Sequence, residues 1–443
     1  MKRNTLKIDY SNVMYEYAGK AGLTPRELKS IYSKAAECAL NIRQKRDDGL
    51  LAFMYLPYDV KAREEVKKTA EIIKSRFDTL ILAGTDPALS AAESIIKALK
   101  PRDRTKTGRK PLKVKSIENG DLSGISAAIG AADIKRTVYN ICIKDPSSET
   151  DAAVIRLLWS AIVKKAGKKS VKDHVIITTD SEKGPTAELA RKFGLVSFRA
   201  PANVSGAFSA LSAAGLLPMA CAGVNIDELL KGAAHMDDRC SNSDLSKNPA
   251  HITAALYYLC DTLKAHRMAA LAPSAGSLKG LLEWVSELWS DSLAGKGARQ
   301  PGLRPFVLPR PRLNGMDYRL FSGKRTDTIF TFVNSGSGGC DCAIPGTNGG
   351  PEPGRVLSSG RMSGVIRGSQ AELERSLASR GFPGLSINLP SVDEFSIGQF
   401  VCLFEAQAVF MAELYGMELH VNKENVEEKG AQVLKKPSLK YNI

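Results

Sequence analysis

The chain has 443 residues and a formal net charge of +15, with 43% hydrophobic and 25% charged residues. This length is too great for one simple core, so the composition predicts two soluble globular domains. No apolar run approaches the ~20 residues that span a bilayer, which argues against a membrane protein. The basic start "MKRNTLKIDYSN" lacks the apolar region of a signal peptide.

Apolar, strand-like runs alternate with longer amphipathic segments in the first half of the chain. The predicted strands are 50–56, 79–83, 112–117, 137–143 and 174–179. The predicted helices between them are 60–76, 88–99, 124–132, 152–166 and 186–193. This alternation is typical of a parallel sheet covered by helices. A largely helical stretch, 206–238, follows and is rich in alanine and leucine.

A second, shorter round of strands and helices occupies the rest of the chain. Its predicted elements are helix 249–265, strand 268–272, helix 278–293, strand 328–333, helix 370–380, strand 384–389 and helix 396–415. The predicted fold class is therefore α/β, with two doubly wound parallel-sheet domains. The predicted segments are an N-terminal helical part (1–45), a first α/β domain with a helical connector (46–245), a second α/β domain (246–395) and a C-terminal helix and tail (396–443).

The densest positive charge lies at 100–115 ("KPRDRTKTGRKPLKVK"), where eight basic residues face one aspartate. A nucleic-acid site is one interpretation, but the stretch has no aromatic residue for base stacking and matches no nucleic-acid-binding motif. The other interpretation is a solvated basic loop. This loop leads from a helix into a strand, whereas ligands bind beyond the carboxyl ends of strands. A nucleic-acid partner is therefore not expected.

The eight cysteines are scattered along the chain. Four of them lie in apolar segments, namely Cys142, Cys221, Cys260 and Cys402. This pattern predicts reduced core thiols in a cytoplasmic protein. Cys340 and Cys342 form a Cys-Asp-Cys sequence in a glycine-rich loop, which leaves a metal or redox pair as the alternative to a plain surface loop. No P-loop or dinucleotide fingerprint is present, and neither a metal nor a cofactor is predicted.

The stretch 141–151 ("ICIKDPSSETD") leads from a predicted strand into a predicted helix. Backbone N–H groups, hydroxyls and the positive helix end would converge there, which suits a phosphate. The side chains concerned are Lys144, Ser147, Ser148 and Thr150. The alternative is that Ser147 or Ser148 only caps the helix.

Three other stretches resemble the phosphoglucose isomerase family. They are "FSALSAAGLLPMACAGVNIDELLKGA" (208–233), "NPAHITAALYYL" (248–259) and "LEWVSELWSDSLAGKG" (282–297). They are similar to family segments of the types GGRFSVLSxVGLLPxALAGIDxxxLLxGA, NPAxxxAxxL and WxxQLxxESLGKxGKG. The resemblance extends in the same order from about residue 50 to residue 435.

This resemblance implies two flavodoxin-like sugar-isomerase (SIS) domains with helical extensions, and a cytoplasmic homodimer. It also implies a cofactor-free enzyme of glycolysis and gluconeogenesis that binds hexose 6-phosphates and interconverts glucose 6-phosphate and fructose 6-phosphate. The reaction moves a proton between C1 and C2 through an enediol, which requires a carboxylate as the base.

The resemblance places the family's phosphate turn, of the type SKSGTTxET, on 143–150. Lys144, Ser147 and Thr150 match it in kind, whereas Asp145 and Pro146 depart from it. The glycine-rich turn of the type GIGGSxLG falls on 83–90 ("AGTDPALS"), which has lost the adjacent glycines.

The family's catalytic glutamate falls on Asp291, and a substrate-binding glutamine one helical turn earlier falls on Glu287. The C-terminal catalytic lysine falls on Lys429 in "NVEEK". The family arginine falls on Ala207, and the catalytic histidine falls near Asn314.

These matches and departures leave two functional hypotheses. The first is an isomerase of hexose 6-phosphates, with Asp291 as the base and Lys429 assisting. The second is a catalytically impaired sugar-phosphate-binding or structural relative. The length of the resemblance favours the first, and the replacements at Ala207 and Asn314 favour the second.

Overall fold

The computed structural model describes residues 5–84, 87–99, 110–117, 122–130, 133–142, 149–179, 185–199, 204, 206–293, 302–309, 327–336, 341–344 and 360–418. The contacts among these residues divide them into two units. One unit is the continuous stretch 40–237, called here the continuous unit. The other combines 5–39 with 238–418 and is called here the split unit.

Strands and helices alternate through most of the described chain. The strands are β1 (Lys7–Asp9), β2 (Thr79–Ala83), β3 (Lys113–Ile117), β4 (Thr137–Cys142), β5 (Val175–Thr179), β6 (Val196–Arg199), β7 (Met268–Pro273), β8 (Arg304–Val307), β9 (Thr328–Ser335), β10 (Ala343–Ile344), β11 (Gly360–Arg361) and β12 (Gly384–Leu389). The first α-helices are α1 (Tyr15–Ala18), α2 (Pro25–Ser30), α3 (Tyr32–Asp47), α4 (Val60–Arg76), α5 (Pro87–Leu99), α6 (Leu122–Gly130), α7 (Glu149–Ala166) and α8 (Val171–His174). The remaining α-helices are α9 (Pro185–Phe193), α10 (Ala213–Cys221), α11 (Ile226–Cys240), α12 (Pro249–Lys264), α13 (Lys279–Leu293), α14 (Met362–Ser379) and α15 (Glu394–Tyr415).

The continuous unit contains a five-stranded parallel sheet in the order β3-β2-β4-β5-β6. Side chains alternate between the two faces along each strand, so Ile81 and Ala83 of β2 join one apolar cluster with α6, α7 and α9. Leu80 and Leu82 point to the other face and are also buried. Both faces are therefore covered, as expected for parallel strands.

The split unit contains a second five-stranded sheet in the order β1-β12-β9-β7-β8. Four strands are parallel, and β1 pairs antiparallel with β12 at the edge. One face packs on α14 through a cluster that includes Phe330, Phe332 and Leu377. On the other face, the Tyr257 hydroxyl of α12 hydrogen-bonds to Thr331 of β9. The N-terminal segment thus adds a strand to this sheet besides its helices.

Helix capping explains why "NPAH" (248–251), which resembles a family segment, begins helix α12. The Asn248 side chain accepts a hydrogen bond from the backbone N–H of His251 at 3.0 Å, and Pro249 occupies the first helical turn. The Asn248 amide also donates to the carbonyl oxygens of Cys240 and Asn242. These contacts fasten the start of α12 to the end of α11.

The sequence-based prediction of two doubly wound α/β sheets is confirmed. The predicted strand 50–56 is wrong, because most of this stretch lies in a 3-10 helix at Ala52–Tyr58 that contains Pro57. Its apolar residues are buried, but a short apolar run cannot distinguish a strand from a packed turn. Five short strands were missed, namely β1, β6, β8, β10 and β11.

The buried cysteines and histidine behave as core groups. Cys142, Cys221, Cys260 and Cys402 are buried, as predicted, and burial raises the pKa of Cys221 to about 12. His174 is buried with its Nδ1 atom 2.8 Å from the Thr137 carbonyl oxygen. These groups have structural roles rather than reactive ones.

Helix α15 is the one described helix that is long and apolar enough to cross a bilayer, and 94% of its apolar window is buried inside the protein. It packs against α12 and α13 of the split unit. Burial also raises the pKa of its Glu405 well above the usual value. Helix α15 is therefore the central core helix of its unit.

Candidate functional site

The order of the strands puts the topological switch point of the continuous unit between β2 and β4. The chain passes from β2 to β3 on one side and continues with β4 on the other. Ligands of open parallel sheets bind at such a point, beyond the carboxyl ends of the strands. The loops that leave β2 and β4 there include 85–86 and 143–148, which lie outside the described residues.

Gly84 directly after β2 fixes the backbone at this switch point. Its φ angle is +135°, and a Cβ atom built on it would lie 1.8 Å from the carbonyl oxygen of Cys142 at the end of β4. Only glycine fits so close an approach. The single glycine left in the turn 83–90 is thus required by the geometry of the switch point.

Helix α7 begins just beyond this switch point. Thr150 is exposed in its first turn, beside Glu149 and the buried Asp151. Acidic side chains are favourable at this helix end because the backbone N–H groups carry a partial positive charge. Lys144, Ser147 and Ser148 lie outside the described residues, so the phosphate site stays a prediction.

Helix α13 in the split unit carries the predicted carboxylates. Its inner face is buried through Trp284, Leu288 and Trp289, whereas Glu287 and Asp291 lie one turn apart on the exposed face. Helical neighbours at positions i and i+4 share a face. The structure therefore brings these two predicted residues together.

The serines beside Asp291 have structural roles. The Ser290 hydroxyl donates to the Ser286 carbonyl oxygen at 2.7 Å, and the Ser292 hydroxyl donates to that of Leu288 at 2.7 Å. Both hydroxyls thus bond back to their own helix. The carboxylates, rather than these hydroxyls, are the groups on this face with proton-transfer chemistry.

Asp291 lies near the end of the second sheet where its strands begin. Helix α13 starts after the carboxyl end of β7 and leads back to β8. The Ser286 hydroxyl lies 3.5 Å from the carbonyl oxygen of Pro305, near the start of β8. The carboxylate pair and the carboxyl ends of these strands are therefore at opposite ends of the sheet.

Of three other residues aligned with family groups, Ala207 alone lies among the described residues. Ala207 is 5% exposed, and its neighbour Phe208 stacks on Phe53 with ring centroids 4.4 Å apart. The position aligned with the family arginine is therefore part of the core and carries no cation. Asn314 and Lys429 lie outside the described residues.

The Cys-Asp-Cys sequence is partly described. Asp341 accepts hydrogen bonds from the Ser363 backbone N–H at 3.0 Å and the Ser363 hydroxyl at 2.7 Å, and these bonds lower the pKa of Asp341. It thereby caps the first turn of α14. Cys342 is exposed, and no group of three metal-ligating side chains occurs among the described residues.

Sequence reasoning missed a polar group at the carboxyl end of the second sheet. The amide of Asn334 in β9 donates there to Asn388 of β12 and to Glu374 of α14. The signal was present in "FVNS" and "INLP", where an asparagine lies within the last two residues of each strand. These two short sequences do not show that β9 and β12 are neighbours in the sheet.

Comparisons with known proteins give matches over most of the chain. No family model matches this chain. The glucose-6-phosphate isomerase of Carboxydothermus hydrogenoformans is 28% identical over 97% of this chain and 97% of its own length. The glucose-6-phosphate isomerase of Methanocaldococcus jannaschii is 26% identical over 88% of this chain and 90% of its own length.

Solved structures share the fold. A hypothetical protein from Thermus thermophilus superposes with a TM-score of 0.80 at 22% identity, covering 96% of this chain and 97% of that one. A glucose-6-phosphate isomerase from Chlamydia trachomatis superposes with a TM-score of 0.76 at 15% identity, covering 95% of this chain and 86% of that one. The chain is thus similar to glucose-6-phosphate isomerases over nearly its whole length, and it shares the fold of one of them.

Proposed function

We propose that this chain is an isomerase of the glucose-6-phosphate isomerase type, which binds hexose 6-phosphates and interconverts glucose 6-phosphate and fructose 6-phosphate through an enediol. The observation that carries the proposal is the near-full-length match to relatives named glucose-6-phosphate isomerase, at 24–28% identity. The exposed carboxylate of Asp291 on α13, at the position of the family's catalytic glutamate, supports it.

The chemistry assigns a role to each candidate residue. Asp291 removes the proton from one carbon of the open-chain sugar and returns it to the neighbouring carbon. Glu287, one turn earlier on the same face, binds sugar hydroxyls, and Lys429 assists ring opening. The transfer leaves the oxidation state of the whole substrate unchanged, so the proposed reaction requires no redox cofactor.

The phosphate is assigned to the turn between β4 and α7. Lys144 supplies a positive charge, and Ser147, Ser148 and Thr150 supply hydroxyl donors. The position of this turn at the topological switch point supports the assignment. The required glycine at position 84 is consistent with a backbone packed closely beside that point.

A coupled assay tests the proposed activity. Fructose 6-phosphate is supplied, and the glucose 6-phosphate formed is followed by the reduction of NADP⁺ with a dehydrogenase. We expect turnover that depends on the protein and saturates with substrate. Hexose 6-phosphate binding without turnover would contradict the isomerase proposal and leave only a binding protein.

Fructose 6-phosphate should raise the melting temperature of the protein, and Lys144→Ala should abolish the rise. A ligand at about 100 times its Kd stabilises a protein by about 2.7 kcal/mol. Differential scanning fluorimetry measures the shift. Lys172→Ala is the matched control, because Lys172 is exposed beside the start of β5, away from the switch point. An unchanged melting curve in the wild type would leave the turn as a helix cap only.

We further propose that the protein is a cytoplasmic homodimer of glycolysis and gluconeogenesis. The similarity of the apolar helical stretches 208–230 and 396–417 to buried and intersubunit elements of the family supports the dimer. Light scattering at micromolar concentration should give twice the mass of one chain. The mass of a single chain would contradict it.

A further inference from the structure

The split unit contains a cavity of about 480 Å³ that the proposed isomerase chemistry does not use. It lies at the carboxyl ends of β9 and β12 and is lined by polar groups that include Ser274, Asn334, Glu374, Ser386 and Asn388. Its volume falls within the range of ~300–1,000 Å³ that is usual for small-molecule sites.

The topology of the second sheet independently favours a ligand at this place. The chain passes from β7 to β8 on one side and then continues with β9 on the other side of β7, so the switch point lies between β7 and β9. Ser274 follows β7, and Ser335 ends β9 at the cavity. The cavity therefore occupies the position where open parallel sheets bind ligands.

The register of the strands builds a polar row across the cavity floor. Asn334 pairs with Asn388 on β12, and Asn388 pairs with Lys7 on β1. Residues directly opposite one another on neighbouring strands share a face. Phe330 and Phe332 precede Asn334 on the same face and lie in the apolar core beneath α14. This face of the second sheet is therefore apolar beneath α14 and becomes polar at Asn334 and Asn388, which line the cavity.

Hydrogen bonds fix the orientation of these floor groups. The Asn334 amide donates to Glu374 Oε1 at 3.1 Å and to Asn388 Oδ1 at 3.2 Å. The Ser386 hydroxyl donates to Glu374 Oε2 at 2.6 Å. An ionised carboxylate only accepts hydrogen bonds, so the nitrogen of Asn334 must face Glu374.

This arrangement leaves both donors and acceptors for a ligand. Asn334 Oδ1 is buried and has no hydrogen-bond partner among the described residues. Asn388 is half-buried; its oxygen accepts from Asn334, and no hydrogen bond of its NH2 group is found within the described part of the chain. Buried polar groups are normally hydrogen-bonded, so a hydroxyl group that donates to Asn334 Oδ1 would satisfy this acceptor, and the amide of Asn388 can donate to the same molecule.

The charges around the cavity argue against an anionic ligand. Glu374 is 8% exposed and lies on the floor, where its carboxylate would repel a phosphate. Lys7, Asp9 and Arg367 also line the cavity but are exposed, and their charges are of both signs. Charged groups at exposed positions are screened by water and contribute little attraction.

We propose that this cavity is a second binding site, for an uncharged polyhydroxylated molecule of monosaccharide size. Its hydroxyl groups donate to Asn334 Oδ1 and accept from the amide of Asn388. The site is separate from the proposed catalytic carboxylate. Asp291 lies twelve residues beyond the start of α13, which is about 18 Å along the helix from the carboxyl ends of the strands.

Calorimetric titration with unphosphorylated glucose, fructose and sorbitol tests the proposal. We expect at least one of these probes to bind with a millimolar Kd. Asn388→Leu, which removes an amide from the floor, should weaken that binding about tenfold or more. Ala371→Trp should do the same by filling the cavity, and Ala371 is exposed on α14, so the larger side chain leaves the core intact.

Ser369→Trp is the matched control, because Ser369 is exposed on the same helix but does not line the cavity. It should leave the Kd unchanged, and all three variants should keep the wild-type turnover of fructose 6-phosphate. Failure of the isomerase assay alone would therefore not affect this proposal. No binding of any polyol at tens of millimolar, or binding that survives both cavity variants, would overturn it. Inorganic phosphate that binds where the polyols do not would also overturn it, in favour of an anion site.

Discussion

Asp291→Asn is expected to lower kcat/KM for fructose 6-phosphate by about 10²- to 10⁴-fold, the usual contribution of a positioned general base. An amide cannot accept the proton that leaves carbon, although its size and shape are those of aspartate. Asp291 lies on the exposed face of α13, so the change should leave the fold intact. The coupled assay measures the loss.

Two further variants separate the role of the carboxylate from its surroundings. Asp291→Glu restores the methylene that the family's glutamate has, and it should retain or raise the activity because a misplacement of ~1 Å can cost roughly 100-fold in rate. Glu283→Gln is the control, since Glu283 is exposed two turns earlier on α13 and pairs with Lys279. Robust turnover in Asp291→Asn would show that another group is the base.

Asp237→Ala is expected to destabilise the continuous unit by about 3–5 kcal/mol, the usual result of removing one partner of a buried ion pair. Arg46 donates to both carboxylate oxygens of Asp237, at 2.9 and 2.8 Å, and the Tyr58 hydroxyl donates at 2.8 Å. The variant leaves the Arg46 guanidinium without this carboxylate in a largely buried position. Urea unfolding measures the loss.

The chain offers a matched pair for comparison. Arg136 also binds Asp78 through two nitrogens, at 2.8 and 2.9 Å, but both side chains are at least half exposed. Asp78→Ala should change the stability little, because water screens exposed pairs. Equal losses in the two variants would show that burial does not control the effect. Asp237→Ala should also lower the free energy of unfolding by less in a protein in which Arg46 is already alanine.

The sequence predicted the long elements well because their patterns are strong. The strand 79–83 and the helix 60–76 have the predicted bounds in the structure, and both show the periodicity of a buried strand or an amphipathic helix. The missed strands β6 ("VSFR") and β8 ("RPFV") have four residues each and lie at sheet edges. Such short edge strands carry too few residues for alternation to be visible.

The site was predictable only where neighbours in sequence are also neighbours in space. Glu287 and Asp291 share one helix face, which follows directly from their spacing. Asn334 and Asn388 lie on different strands, so their pairing depends on strand order and register. A one-residue slip of register would have moved either side chain to the opposite face. The alternation of apolar and polar residues along a strand predicts the face on which a side chain lies, but it does not predict the neighbour of that side chain on the next strand.

The edge strand β1 has a consequence for the synthesis of this protein. Its partner β12 is made only after the whole continuous unit has left the ribosome. At the usual ~5–20 residues per second, the wait is roughly 20 to 75 s. During this time the continuous unit can form from its own residues, whereas β1 has no strand with which to pair. When β12 is made, it pairs with β1. This pairing covers a strand edge that could otherwise pair with another nascent chain.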